Sequence, residues 1–118
     1  MHSVRQQRVR ELLKRQLGEV LQRELRTADI GLLTVTDVDL AGDLKSATVY
    51  VGVIGSPDQR KKAMTALDEE RLRIQELLGR AVVLKHTPRL RFELDTSIER
   101  GNRVLAILDE LDRPTDKP

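Results

Sequence analysis

The sequence predicts an α+β fold: one three-stranded sheet with helices on a single face. Three observations predict it. Apolar residues recur at three- and four-residue spacing over residues 4–26 and again over residues 57–78, the mark of amphipathic helices. Runs of strand composition fill residues 32–40, 46–54 and 82–94. Only five residues, Ala41-Gly42-Asp43-Leu44-Lys45, separate the first two runs, so they pair as an antiparallel hairpin.

The first helix carries its stripe on Val9, Leu12, Leu13, Leu17, Val20, Leu21 and Leu25, and its arginines and lysines fall largely outside it. Gly18 interrupts this helix, at a cost of about 1 kcal/mol relative to alanine. In the first strand, Leu33 and Val35 share one parity while Val38 and Leu40 share the other. A β-bulge near Thr36-Asp37 returns both pairs to the core. The second strand alternates cleanly, with Ala47, Val49, Val51 and Val53 on one side.

Ser56-Pro57-Asp58-Gln59 combines a capping hydroxyl, a first-turn proline and capping-box spacing, and so starts the next helix. Its stripe runs Ala63, Met64, Leu67 and resumes at Ile74, Leu77, Leu78. Glu69-Glu70-Arg71 would put charge through the buried stripe of one straight helix. The chain is therefore predicted to kink, or to form two helices meeting, near residues 69–73. Gly79 is predicted to close the second of them. The third strand is broken by Pro88, which belongs at a bulge or an edge because it has no N–H to donate. After it, Thr96 and Glu99 stand at capping-box spacing before a short terminal helix on Val104, Leu105, Leu108 and Leu111. Residues 1–112 are thus read as one domain and residues 113–118 as a flexible tail. The order helix-strand-strand-helix-kink-helix-strand is the connectivity of a type II KH domain, an RNA-binding module.

At 118 residues the chain supports one modest core. It has no cysteine, which rules out disulfides and thiolate metal sites. His2 and His86 lack neighbours at metal-ligand spacing, and no P-loop, nucleophile elbow or dinucleotide fingerprint is present. No enzyme, cofactor or metal is expected. Nor is a membrane partner, since no apolar run approaches the roughly 20 residues of a span.

Net charge is only +2, but it is unevenly placed: +4 over residues 1–26, −4 over 27–58, +5 over 59–91 and −3 over 92–118. Such blocks either mix into an ordinary solvated surface or gather into a basic face that binds nucleic acid. The candidate RNA-binding residues are Arg60, Lys61 and Lys62 at the helix start, Arg71 and Arg73 at the break, and Arg80, Lys85, Arg89 and Arg91 beyond it. Lys85, Arg89 and Arg91 share a parity opposite Leu84, Leu90, Phe92 and Leu94, unless the register slips at Pro88 and separates Lys85. Gly52-Val53-Ile54-Gly55 matches the KH glycine loop in letters only, because it ends a strand. The break itself has no glycine. With Tyr50 and Phe92 the only large aromatics, contact is expected through side-chain cations and phosphate rather than base stacking.

Several segments together resemble the bacterial ribosome-binding factor A (RbfA) family over nearly the whole chain. They are Leu33-Thr34-Val35-Thr36-Asp37-Val38, Asp43 to Val51, Leu78-Gly79-Arg80, Pro88-Arg89-Leu90-Arg91-Phe92 and Asp95 to Gly101. The resemblance implies a KH-like fold and a non-catalytic, cytoplasmic assembly factor. Such a factor binds the small ribosomal subunit and its rRNA, supports late maturation at the rRNA 5′ end and growth in the cold, and leaves before translation. Arg80 is the basic position that best matches the family pattern. Where the family kink carries Ala-x-Gly, this chain has Glu70-Arg71-Leu72. The competing expectation is a protein-interaction module that dimerises through the stripe of the first helix; the assembly factor is expected to be a monomer.

Overall fold

The computed structural model describes residues 4–26 and 29–96. The helix expected after Thr96 and the tail 113–118 lie outside the described residues. The elements are α1 (Val4–Glu24), β1 (Leu32–Leu40), β2 (Ser46–Ile54), α2 (Pro57–Glu69), α3 (Arg71–Ala81) and β3 (Arg89–Leu94). The predicted order holds.

The sheet order is β1-β2-β3, with β1 antiparallel and β3 parallel to the central β2. The expected bulge is present: pairing passes from Val35↔Val51 to Asp37↔Tyr50 and skips Thr36. That extra residue lets Val38 and Leu40 follow Leu33 and Val35 onto the covered face. The Thr36 hydroxyl donates to Asp95 Oδ2 at 2.6 Å and lies 3.2 Å from Tyr50 O, so the bulge is tied across β2 to the end of β3. At the hairpin turn Leu44 adopts φ +62° and its N–H bonds Ala41 O. Left-handed backbone costs a non-glycine residue about 1–2 kcal/mol.

All three helices pack on one face of the sheet or on one another. The core joins Leu13, Leu17 and Val20 of α1 to Val49 and Val51 of β2 and to Leu67, Ile74 and Leu78 of the helical pair, all fully buried. The break falls at a single residue. Glu70 sits at φ −96°, ψ 8°, its N–H bonding Ala66 O and its carbonyl accepting from Ile74. This bridge conformation is open to ordinary residues, so the corner needs no glycine.

Two expectations fail in the same short stretch. Gly79 does not end α3: the helix continues to Ala81 and closes at extended Val82, whose N–H bonds Leu78 O. Gly79 instead serves close approach, since a Cβ there would lie 2.7 Å from Thr87 Oγ1, where the connector folds back on the helix. Residues 82–84 are not a strand either. Val82 is buried and Val83 is 99% exposed, and the chain pairs with β2 only from Arg89 onward. Pro88 therefore does not break a strand: it is fully buried and immediately precedes β3, which forms the sheet edge.

Gly18 and Gly31 differ in what a side chain would meet. Nothing lies within 4 Å of a Cβ at Gly18. At Gly31, φ is +74° and a Cβ would come 2.5 Å from Ile54 O. Gly18→Ala should therefore stabilise the protein by about 0.5–1 kcal/mol. Gly31→Ala should destabilise it by roughly 2 kcal/mol. Urea unfolding of both variants checks the opposite signs.

Candidate nucleic-acid interface

The open face of the sheet carries the residues of opposite parity to the core. Register places Asp39, Thr48 and Arg91 in one row and Asp37, Tyr50 and Glu93 in the next, with Arg89 beside Ser46. This face is acidic along β1 and basic along β3. Arg89 and Arg91 are both exposed on it. They share a face as the alternation predicted, and Lys85 lies before the strand, in the connector.

A helix side chain supports the outer side of β3. Arg89 N–H bonds Lys45 O of the β2 side, so the N–H of Leu90 points to the unpaired side. Gln75 Oε1 of α3 accepts it at 3.0 Å. An edge donor is thereby satisfied and the edge covered, which sets the two arginines that flank Leu90.

The other predicted cations stand on the helical layer. At the start of α2 both capping-box bonds form: Gln59 N–H to Ser56 Oγ at 3.1 Å and Ser56 N–H to Gln59 Oε1 at 3.0 Å. Gln59 also donates to Asp29 Oδ1 at 2.9 Å, which pins the loop before β1 to this corner. Arg60 turns back to donate to Gly55 O at 2.7 Å. Lys61 is exposed, and Lys62 pairs with Asp58 at 3.2 Å. Beyond the hinge, Arg71 is half-buried. Arg73 reaches across to Glu24 of α1 at 2.9 Å. The Glu24 carboxylate, first by this hydrogen bond and then by its charge, raises the Arg73 guanidinium further above its ordinary pKa. Arg80 pairs with Glu76 one turn earlier, and Arg91 with Glu93 at 2.8 Å.

The nine residues therefore do not form a single continuous patch. Arg89 and Arg91 occupy the sheet face opposite the helices, while the others lie on the helices or in the connector. They differ in state as well as place. Lys62, Arg73, Arg80 and Arg91 are held by carboxylates. The side chains of Lys61, Arg71, Lys85 and Arg89 make no hydrogen bond or ion pair with another described residue. Exposed pairs contribute only about 0–1 kcal/mol, so the paired cations can be exchanged to phosphate at small cost, and the unpaired ones at none.

Sequence reading missed two residues that the fold brings to Lys85, one a cation and one an imidazole. Arg5 of α1 and His86 line one cavity with it. No local signal marks them, because 80 residues of chain separate Arg5 from Lys85. Among the described residues, no group of three or more His, Cys, Asp or Glu is placed to hold a metal ion. No described helix is long and apolar enough to cross a membrane.

Removing the edge contact tests its role in positioning the arginines. Gln75→Leu leaves the Leu90 N–H without its acceptor and should cost roughly 1–3 kcal/mol. Amide hydrogen exchange should show Leu90 losing protection more than the β2 amides do.

Comparison with known proteins closes on one family. The family model for ribosome-binding factor A matches residues 5–108. Ribosome-binding factor A of Macrococcus caseolyticus is 36% identical over 111 residues, covering 94% of this chain and 97% of that protein. The crystal structure of ribosome-binding factor A from Thermus thermophilus superposes with a TM-score of 0.66 at 32% identity, over 75% of this chain and 93% of that one. A Thermus thermophilus RbfA model fitted into a cryo-EM map of a 30S–RbfA complex gives a TM-score of 0.63 at 32% identity, over 72% of this chain and 89% of that one. With a family model spanning most of its length and a relative 36% identical over 94% of it, this chain belongs to the ribosome-binding factor A family.

Proposed function

We propose that this protein is a non-catalytic assembly factor that binds the immature small ribosomal subunit through its rRNA and supports late maturation, including processing at the rRNA 5′ end. The observation that carries this reading is its relation to the Thermus factor fitted in a 30S complex, at 32% identity over most of both chains. The charge distribution supports it. Lys61, Arg71, Lys85 and Arg89 are unpaired among the described residues, and cations of this kind neutralise phosphates and release counterions. Residues 1–112 act as one RNA-binding unit.

The protein works as a monomer in the cytoplasm. The dimerisation reading requires the α1 stripe to be available, and Leu13, Leu17, Val20 and Leu21 are all at most 2% exposed within one chain. The stripe is already used against β1 and α3.

The protein should cosediment with free small subunits and not with translating ribosomes; cosedimentation with neither would end this reading. Light scattering should return the monomer mass. Within the interface, Arg89→Ala and Lys61→Ala should each lower the slope of log affinity against log salt by about 1. Arg80→Ala should lower that slope likewise; an unchanged slope in that variant would remove Arg80 from the contact.

A further inference from the structure

The end of the molecule where β2 begins holds a cavity of about 250 Å³ between three segments distant in sequence. Arg5 and Val9 come from α1, Leu44 from the hairpin turn, and Leu84, Lys85 and His86 from the α3–β3 connector. Half of its lining is apolar. Val9, Leu44 and Leu84 are only partly buried against the core, and Pro88 beneath them is fully buried. Arg5, Lys85 and His86 are all exposed, and neither cation has an ion-pair partner among the described residues. Asp43 is the one acid in the lining, and its Oδ1 already accepts from Lys45 N–H at 3.0 Å.

Two of the three segments are linked. Gln6 of α1 donates to Gly42 O at 3.3 Å, and Leu44 is held left-handed at φ +62°. Backbone strain kept in place by surrounding bonds concentrates at ligand-binding sites. At 250 Å³ the space falls below the roughly 300–1,000 Å³ of pockets for drug-sized ligands, which limits the occupant to one small ring system. Arg5 and His86 both offer flat faces of the kind on which unpaired RNA bases stack. The apolar floor suits the ring, and Lys85 with Arg5 suits an adjoining phosphate.

We propose that this cavity takes one unpaired nucleotide of RNA, its base seated on the apolar floor against His86 and its phosphate on Arg5 and Lys85. The proposal rests on the rRNA-binding function above and adds to it a contact to a base. A chain with a single Tyr and a single Phe offers no reason in its composition to expect one. The cavity also lies apart from the α2–α3 corner that corresponds to the KH loop.

The test titrates the isotopically labelled full chain with a single-stranded adenosine tetranucleotide, inorganic phosphate and a tetraglutamate peptide, followed by amide chemical shifts. The tetranucleotide should shift residues 42–45 and 84–88, and phosphate should not. His86→Ala should weaken tetranucleotide binding at least about fivefold, the scale of one stacking contact, and His86→Phe should retain it. No shift at these residues, an equal response to phosphate or peptide, or His86→Ala binding like the parent would each overturn the slot. Cosedimentation with small subunits is measured in parallel. If the parent chain cosediments without tetranucleotide shifts, the slot fails and the functional reading stands. If the parent fails to cosediment, it is the functional reading that fails.

Discussion

Parallel pairing of β3 with β2 sets the terms for the rest of the molecule. β2 ends at Ile54 and β3 starts opposite Ser46, so the chain must travel back along the sheet before it can pair again. The nine-residue β2 is about 30 Å long at 3.3 Å per residue. One straight helix over residues 57–81 would reach about 37 Å at 1.5 Å per residue and overshoot. Breaking it at Glu70 shortens the return and turns α3 toward α1 and β3, where Gln75 meets the Leu90 amide. The hinge, the covered edge and the placement of Arg89 and Arg91 are one geometric solution.

Much of this solution is legible in the residues. The parity switch between Val35 and Val38 marks the bulge because a buried face tolerates no polar slip. Ser56 and Gln59 mark the start of α2 because their bonds are local. The hinge shows as charge crossing an apolar stripe. Reading failed where the deciding contact is distant in sequence. Gly79 resembles a helix stop, and only the return of Thr87 reveals its use. Val82-Val83-Leu84 has strand composition but no strand beside it.

The candidate site divides in the same way. Lysines and arginines are visible in any sequence, but their availability depends on which acids the fold delivers. Arg80 with Glu76 is one helical turn and could be anticipated. Arg73 with Glu24 joins α3 to α1 across 49 residues and could not. The gathering of Arg5, Lys85 and His86 about one cavity belongs to topology alone. Composition thus indicates the class of partner, and the fold decides which cations remain open to it.

The bond between Thr36 and Asp95 has a mechanical consequence. β3 is an edge strand, and a parallel edge strand pulled from its C-terminal end is open to peeling one hydrogen bond at a time. Here the last residue before the chain leaves the sheet is fastened twice, by its N–H to Val51 O at 2.7 Å and by its carboxylate to the Thr36 hydroxyl on the far strand. A load applied beyond Asp95 therefore enters β1 and β2 together. The bulge that corrects the alternation of β1 also serves as an anchor point for the whole sheet.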